Sequence, residues 1–267
     1  TALANLAIAA GNAVPMFAKP GLVELLMRAG DKGETSEVKH AGLTALANLA
    51  GAAGNAVPMF AKPGLVDILT RAFSQENKDV RYAAVNAVFL LSLSSEVARG
   101  LDTPAVVTGL TARLKDENEF TRQRAVMALA NIIGSDEKRS HMLSSDAQVL
   151  GGVVAILDAA NNNNEGGWPH ASVLSPLRSL SLVPSNRAFF ASKDVPAKVI
   201  DALSQSLTKN DARSVELAVS TLQQLAFDEP VLTTLRANKD LPALLDRVTA
   251  RTEPEWGDAR RAAQYLS

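Results

Sequence analysis

The sequence contains no cysteine among its 267 residues. Disulfides, thiolate metal sites and cysteine nucleophiles are therefore excluded, and nothing in the chain calls for an oxidising compartment. Aromatic residues make up only 4% of the chain, which argues against a platform that stacks nucleic-acid bases. No apolar run approaches the roughly 18 residues that a membrane-spanning helix requires, so membrane insertion is not expected. These features favour a cytoplasmic location, with access to the nucleus left open.

Positive and negative charges are nearly equal, with 27 basic and 28 acidic residues and a net charge of −1. That balance argues against a general surface for polyanions. Local basic pairs such as Arg122 and Arg124 have Glu117 and Glu119 close by, which cancels part of their field. We therefore expect no nucleic-acid partner.

An internal repeat organises the chain. Residues 1–30 read TALANLAIAAGNAVPMFAKPGLVELLMRAG and residues 44–73 read TALANLAGAAGNAVPMFAKPGLVDILTRAF, so only five aligned positions differ. Weaker copies of the TALANLA element begin at Asn86, Met127, Ser175, Ser220 and Arg261. This self-similarity predicts a single domain with repeat units near 1–43, 44–85, 86–126, 127–174, 175–219 and 220–267.

Each period has the pattern of three helices. Apolar residues recur at helical spacing, as in Leu43, Leu46 and Leu49, and the alternation typical of strands is absent. A second helix follows the Lys-Pro-Gly sequence at 62–64. A short segment that starts at Asn55 predicts a brief helix between the two longer ones.

Three helices in roughly 42 residues resemble the armadillo repeat. ALANLA at 45–50 and ALANII at 128–133 are similar to that family's third-helix signature, and KPGLVDIL at 62–69 is similar to its second-helix entry. The resemblance covers essentially the whole chain. It implies an all-α fold, a right-handed superhelical α-solenoid of about six repeats. A HEAT array, with two helices per repeat, is the structural alternative.

The first residues of the chain fall within a predicted third helix. Ala2, Leu3 and Leu6 would then have no preceding helix to cover them. We therefore expect the natural protein to contain further N-terminal sequence, and the chain to be a fragment.

Catalytic chemistry has little support in the sequence. The histidines, His40, His141 and His170, lie in three different repeats, and no phosphate-binding loop, HExxH or GxSxG pattern is present. Ser172, His170 and Asp158 are neighbours that chance juxtaposition explains. We predict no catalytic residue, no metal site and no cofactor. A lyase built on helical repeats would require His170 and an acid to face a closed pocket.

The segment from Asn161 to His170 is unusual, with four consecutive asparagines followed by Glu-Gly-Gly and then Trp168. It has two readings. One is a flexible insertion between two helices, where repeat proteins tolerate extra residues. The other is a recognition loop in which Trp168 is an aromatic anchor.

The resemblance also implies a binding surface. In armadillo proteins that bind extended peptides, an asparagine on each third helix bonds to the ligand backbone, and Asn5, Asn48 and Asn131 match that position. An amide offers both a donor and an acceptor, so it can pair with a peptide unit whatever the side chain beside it. The alternative is that Asn48 and Asn131 tie adjacent turns together. We call the matching positions the ladder positions; in the other repeats they are Leu90, Ser179, Gln224 and Tyr265.

Residues one and two turns before the ladder positions share their face of the helix. Tyr82 and Met127 are the best candidates for side-chain anchors there. Nuclear-import adaptors of this family have tryptophans on that face and this chain has none, so recognition of nuclear localisation signals is not expected. The predicted partner-contacting residues are Asn5, His40, Thr44, Asn48, Tyr82, Asn86, Gln123, Met127, Asn131, Trp168, Ser175, Ser179 and Gln224.

The sequence thus predicts a non-enzymatic module that binds an extended peptide or a partner protein along the concave groove of the third helices. One alternative is a co-chaperone that clasps a globular partner such as Hsp70 and promotes nucleotide exchange. Others are the repeat-based lyase and an internal segment of a large cytoskeletal or signalling protein. The near-identity of the first two repeats also predicts weak self-association, because similar neighbours can exchange between chains.

Overall fold

The computed structural model describes residue 5 and residues 12–52, 54–134, 148–162 and 167–266. Within those ranges all regular secondary structure is helical, which confirms the all-α prediction. The chain forms two compact units, which we call unit 1 (Thr1–Ile132) and unit 2 (Ile133–Ser267).

Unit 1 repeats the order of a short, a second and a third helix. The short helices are α1 (Ala13–Phe17), α4 (Ala56–Phe60) and α7 (Ser95–Gly100); the second helices are α2 (Leu22–Lys32), α5 (Leu65–Ala72) and α8 (Pro104–Arg113); the third helices are α3 (Ser36–Ala50), α6 (Lys78–Ser92) and α9 (Glu119–Ile133). The short helices contain five or six residues and each third helix contains 15. Three helices per repeat exclude the two-helix alternative for this unit.

Unit 2 continues the same order. It contains α10 (Gln148–Asn161), α11 (His170–Leu180), α12 (Pro184–Ser192), α13 (Val195–Thr208), α14 (Ala212–Leu225), α15 (Glu229–Ala237), α16 (Leu241–Thr249), a 3-10 turn (Pro254–Trp256) and α17 (Gly257–Leu266). The third helices here are α11, α14 and α17. The brief helix that the sequence predicts at 136–144 lies outside the described residues.

Polar caps set the starts of the third helices. The Thr35 hydroxyl accepts from the Val38 N–H at 3.3 Å, and the Asn77 side chain accepts from the N–H groups of Asp79 and Val80. Asn118 caps α9 in the same way. Such caps satisfy amide donors that have no partner within the helix, so the helix direction is fixed at its first turn.

The apolar residues of the repeat signature form the core of unit 1. Leu43, Leu46 and Leu49 on α3 have no exposed surface. Gly42 allows α3 to approach α2 closely, because a Cβ atom at residue 42 would lie 2.7 Å from the Gly30 nitrogen. The third helix is therefore held on its apolar side, and its polar side faces outward.

Buried asparagines join the third helices to the short helices that follow them. Asn55 is 3% exposed, and its Nδ2 donates to the carbonyl oxygens of Leu49 at 3.0 Å and Ala13 at 3.2 Å. In unit 2, Nδ2 of Asn186 donates to the Leu180 carbonyl at 3.0 Å over the same six-residue spacing. These amides satisfy carbonyl groups at helix ends.

A buried ion pair joins consecutive connectors of unit 1. Arg81 Nε donates to Asp116 Oδ2 at 2.8 Å, and the two residues are 9% and 5% exposed. Arg113 donates to the same carboxylate at 3.0 Å, and Nη1 of Arg81 also donates to the carbonyls of Gln75 and Glu76. Burial alone would raise the pKa of Asp116, but the hydrogen bonds from Arg81 and the Asn118 N–H, with the charges of both arginines, hold it below its ordinary value.

Candidate functional site

The third helices of unit 1 carry the candidate surface. Two contacts establish how α6 and α9 lie. Near their N-terminal ends the rings of Tyr82 and Phe120 meet edge to face, with centroids 6.5 Å apart. Near their C-terminal ends Asn131 Nδ2 donates to Ser92 Oγ at 3.0 Å. The first contact joins the N-terminal ends of the two helices and the second joins their C-terminal ends, so α6 and α9 run parallel. Their ladder positions, Leu90 and Asn131, therefore lie side by side.

Seven of the predicted contact residues of unit 1 lie at its surface. All seven are half-buried, so one part of each is packed and the rest reaches solvent: His40, Thr44, Asn48, Tyr82, Asn86, Gln123 and Asn131. Asn5 is helical and exposed. This degree of exposure suits a binding surface, since the packed part fixes the side chain and the exposed part can contact a ligand.

Met127 does not belong to the surface. Its side chain has no exposed area, so its prediction as a partner-contacting anchor is wrong. Four residues of an α-helix turn through about 400°, which places Met127 some 40° around α9 from Asn131. At the equivalent positions the polar Thr44 and Asn86 keep partial exposure, whereas the apolar Met127 lies on the buried side.

The ladder asparagines are engaged by the protein as well as exposed. The Ser92 hydroxyl that accepts from Asn131 itself donates to the Phe89 carbonyl at 2.6 Å. This bond uses one of the two amide donors of Asn131 and orients the side chain. Asn131 therefore ties α9 to α6, as the structural alternative predicted, and it does so with a half-exposed amide.

Polar side chains of α9 near Phe120 make contacts of their own. Gln123 Nε2 donates to Glu119 at 3.1 Å, and the guanidinium carbon of Arg124 lies 4.9 Å from the centre of the Phe89 ring. Phe120 itself is 54% exposed. Tyr82 and Phe120 thus form a partly open aromatic pair, which we call the aromatic step.

The predicted residues of unit 2 form a less regular surface. Ser175, Ser179 and Gln224 are half-buried, and Ser179 Oγ donates to the Ser175 carbonyl of its own helix at 3.3 Å. Glu216, two turns before Gln224, accepts from Arg178 at 3.3 Å and also pairs with Arg213. Much of the polar capacity of this face is therefore satisfied within the unit.

The burial of Trp168 corrects the interpretation of residues 161–170 as a recognition loop with Trp168 as its anchor. It is 8% exposed, so it packs inside unit 2 and offers little surface for an aromatic anchor. Residues 163–166 of the same segment lie outside the described residues. At the end of the segment, residues 167–170 are described, and there Trp168 and His170 are both buried within unit 2.

His170 has neutral partners. Its Nε2 lies 3.1 Å from Asn161 Oδ1, its Nδ1 lies 3.5 Å from Ser206 Oγ, and it is 5% exposed. Burial lowers the pKa of His170, and the charge of Lys209 adds to that effect while Asp211 opposes it. Asp158 pairs instead with Lys198. The structure therefore gives His170 amide and hydroxyl contacts in place of the acid that the lyase alternative requires.

Sequence reasoning missed exposed apolar side chains that recur at one repeat position, one in unit 1 and two in unit 2. Three residues after the ladder positions lie Leu93, Leu182 and Phe227, which are 46%, 46% and 74% exposed. In unit 2, Phe227 borders an open groove of about 900 Å³ that Gln224 and Tyr265 also line. The sequence carried part of this signal: three residues after the ladder positions, four repeats have a large apolar residue (Ile8, Leu93, Leu182 and Phe227) and two have glycine (Gly51 and Gly134).

Two kinds of site are absent from the residues that the structure describes. Within them no helix has the length and apolar character needed to cross a membrane. No group of three or more histidine or acidic side chains among them could hold a metal ion.

Comparison of the structure with solved structures decides the fold. A designed armadillo repeat protein, YIII(Dq)4CqI, superposes with a TM-score of 0.64 at 15% identity, over 92% of this chain and 100% of that one. This chain has the armadillo-repeat fold. A second designed armadillo repeat protein, YIII(Dq.V1)4CPAF in complex with the peptide (KR)4, gives a TM-score of 0.61 at 16% identity over 91% of this chain and 98% of the other.

A natural system is also similar. A structure from work on the phosphorylation switch that controls the interaction between cadherin and beta-catenin gives a TM-score of 0.63 at 19% identity. The match covers 97% of this armadillo-repeat chain and 47% of the other. No protein-family model and no curated sequence matches the chain.

Proposed function

We propose that the chain is a protein-interaction scaffold and that the third helices of unit 1 bind an extended peptide of a partner protein. The observation that carries the proposal is the parallel arrangement of α6 and α9, which sets the half-exposed amide of Asn131 and the aromatic step of Tyr82 and Phe120 on neighbouring helices. The similar designed armadillo protein in complex with (KR)4 supports a peptide as the ligand class.

The spacing of the helices sets the length of the ligand. Packed helices lie roughly 8–10 Å apart and an extended peptide advances about 3.3 Å per residue. A ladder position therefore meets about every third residue of the ligand. The three third helices of unit 1 therefore suit a segment of about six to nine residues. Asn48 and Asn131 bond to its backbone, and the aromatic step contacts its side chains.

The ladder position on the middle helix, α6, predicts where a ligand can contain proline. Leu90 takes the ladder position on α6, is half-buried, and offers no hydrogen bond to a backbone amide. Proline has no backbone N–H. A ligand proline opposite Leu90 therefore loses no hydrogen bond, whereas one opposite Asn48 or Asn131 loses the hydrogen bond to that asparagine. Peptides with proline near the centre of the bound segment should therefore bind, and peptides with proline opposite Asn48 or Asn131 should bind more weakly.

Hydrogen bonds alone do not supply useful affinity. A net 0.5–1.5 kcal/mol per bond is far below the roughly 8 kcal/mol of a micromolar complex. Aromatic side chains are common sources of binding energy, and the open face of Tyr82 and Phe120 is the strongest such group on this surface.

A displayed library of twelve-residue peptides, selected on the immobilised chain, tests the proposal. The dissociation constant of a selected peptide is then measured calorimetrically with wild type, Asn48→Ala, Tyr82→Ala and Gln75→Ala, the last being a matched amide control on an exposed connector. We expect about a two- to tenfold loss for Asn48→Ala, a larger loss for Tyr82→Ala and no change for Gln75→Ala. Selected peptides that bind Asn48→Ala and Tyr82→Ala as tightly as wild type would contradict it.

The co-chaperone alternative has its own readout. A peptide scaffold should leave the rate of ADP release from Hsp70 unchanged, whereas a clasp on the globular lobe should accelerate it. If the chain accelerates ADP release and the Tyr82→Ala variant does so equally, the co-chaperone function replaces the peptide-binding proposal.

A further inference from the structure

Two arginines of unit 2 meet at one carboxylate on its third helices. Nη1 of Arg178, on α11, donates to Glu216 Oε1 at 3.3 Å, and Arg213, in the first turn of α14, pairs with Glu216 Oε2. The Ser220 hydroxyl, one turn after Glu216, lies 3.5 Å from the oxygen that Arg178 contacts. We call these four residues the arginine cluster. It brings guanidinium groups from two helices to the same carboxylate.

The cationic side chains of the cluster are the exposed ones. The side chains of Arg178 and Arg213 are 39% and 63% exposed, whereas that of Glu216 is 13% exposed. The carboxylate is therefore largely covered. A ligand that approaches the cluster from solvent meets arginine side chains first.

Glu216 uses only part of the hydrogen-bonding capacity of the two arginines. A guanidinium group has five N–H donors. Each arginine donates one bond to Glu216, and among the residues that the structure describes neither has another acceptor. Two guanidinium groups and one carboxylate have a net charge of +1. The cluster therefore has both the donors and the charge for one further anion.

The net charge of the cluster indicates which anion fits it. A ligand carboxylate carries one negative charge, so it would bring the cluster to neutrality. A phosphate monoester carries about −1.5 to −2 charges at pH 7 and would leave excess negative charge beside Glu216. Arginine also binds carboxylates through charge-assisted N–H···O bonds that are stronger than neutral ones. Charge and geometry together favour a carboxylate.

The arginine cluster has no counterpart in unit 1. The positions that correspond to Glu216 carry no acid there, and the positions that correspond to Arg178 carry no base. The first set is His40, Tyr82 and Gln123, and the second is Ala47, Phe89 and Ala130. The cluster is therefore a feature of unit 2, and its ligand need not be the peptide proposed for unit 1.

We propose that Arg178, Arg213 and Ser220 bind a carboxylate of a partner protein's peptide segment. The two guanidinium groups donate to the ligand oxygens, and the Ser220 hydroxyl adds a third donor beside Arg178. Glu216 holds both guanidinium groups in place before the ligand arrives, which reduces the entropy lost on binding. An acidic side chain and a peptide C-terminus offer the same group, and the experiment separates these two sources.

A displayed library of random twelve-residue peptides with free C-termini tests the proposal. The library is depleted on the Arg178→Gln, Arg213→Gln double variant and then selected on the wild-type full chain. The dissociation constant of each selected peptide is measured calorimetrically with wild type, the double variant and Arg247→Gln, a control at an exposed arginine of α16. Each peptide is also made with glutamine or asparagine at its acidic residues, and with an amidated C-terminus. Circular dichroism confirms that each variant is folded.

We expect each selected peptide to depend on one carboxylate. Its conversion to an amide should weaken binding to wild type by about tenfold or more and leave the affinity of the double variant nearly unchanged, whereas Arg247→Gln should match wild type. Loss on side-chain amidation identifies an acidic residue as the source, and loss on C-terminal amidation identifies the terminus. Peptides that bind without any carboxylate, or equal losses in wild type and the double variant, would overturn the proposal. So would about tenfold tighter binding when phosphoserine replaces the acidic residue.

A further variant separates ligand binding from a structural role of the arginines. Glu216→Gln breaks the same ion pairs but keeps both guanidinium groups. It should bind the selected peptides within about threefold of wild type or more tightly, because the ligand no longer meets the negative charge of Glu216. A loss as large as that of the double variant would show that the ion pairs act only by holding α11 to α14, and the proposal would be wrong.

Discussion

Asn131 donates to the hydroxyl of Ser92 at 3.0 Å, and this bond joins the C-terminal ends of two neighbouring third helices, α9 and α6. The Asn131 side chain at this ladder position therefore has both a structural contact and a part that is open to a ligand. One N–H holds the side chain in place, and the rest of the amide can meet a ligand. An amide that is fixed before binding loses less entropy when the ligand arrives.

The first prediction concerns that bond. Ser92→Ala should reduce the free energy of unfolding of unit 1 by about 1 kcal/mol, because it removes the acceptor for Asn131 and the donor to the Phe89 carbonyl. It should also weaken a selected peptide by less than Asn131→Ala does, since the ligand-binding amide remains. Denaturant titration and calorimetry measure the two effects. Equal loss of peptide affinity in both variants would indicate that Asn131 acts only through its structural bond.

The second prediction concerns the buried ion pair of unit 1. Asp116→Ala should lower the free energy of unfolding by about 3 kcal/mol or more, because it leaves the Arg81 guanidinium buried without its carboxylate. Glu117→Ala is the matched control, since that carboxylate also contacts Arg81 but its side chain is 71% exposed, and it should cost under about 1 kcal/mol. Urea unfolding followed by circular dichroism compares them. Similar small losses in both would show that the pair does not hold the connectors.

The third prediction is a pH dependence in unit 2. The pKa of His170 is lowered by burial in the folded chain, so the unfolded chain takes up the proton first as the pH falls. Stability should therefore be complete above about pH 7.5 and should decline as the pH falls through about 6.5. His170→Gln, which keeps a donor toward Asn161, should lack this decline, whereas His40→Gln should retain it. Thermal unfolding at pH 8 and pH 5.5 provides the measurement, and an equal decline in His170→Gln would refute the assignment.

The fourth prediction concerns the buried amides at the short helices. Asn55→Ala should cost about 1–3 kcal/mol, because the carbonyls of Leu49 and Ala13 lose their donor. Asn12→Ala is the comparison from the matching repeat position, where the side chain is half-buried, so its loss should cost less than that of the 3%-exposed Asn55. Chemical unfolding should rank the two clearly. A larger loss for Asn12→Ala would contradict this account of the spacing.

Much of the fold could be predicted because its signals are local and repeated. The Leu-Ala-Asn-Leu-Ala pattern indicated which face of α3 is buried, and Leu43, Leu46 and Leu49 are buried as it requires. The contact between Arg81 and Asp116 could not be seen this way. It joins residues 35 positions apart, and both residue types are ordinary in exposed connectors.

The candidate surface was predicted less well, because a helical wheel gives only the average direction of a side chain. Thr44 and Asn86 lie at the surface, whereas Met127 at the same repeat position is buried. Trp168 is also buried, although the glycines and asparagines before it indicated an exposed loop. In both cases the hydrophobic side chain packs where tertiary contacts allow it. The peptide ligand and the self-association expected from the two similar repeats stay predictions.

A double-mutant cycle on the ligand backbone tests the central claim most directly. Each amide of a selected peptide is N-methylated in turn, and its affinity is measured with wild type and with Asn48→Ala. If the Asn48 amide pairs with the ligand backbone, one methylation should weaken wild type by about two- to tenfold and leave Asn48→Ala nearly unchanged, a coupling of about 0.5–1.5 kcal/mol. If every methylation weakens both proteins equally, the ladder does not bind the peptide backbone and the account of this surface is wrong.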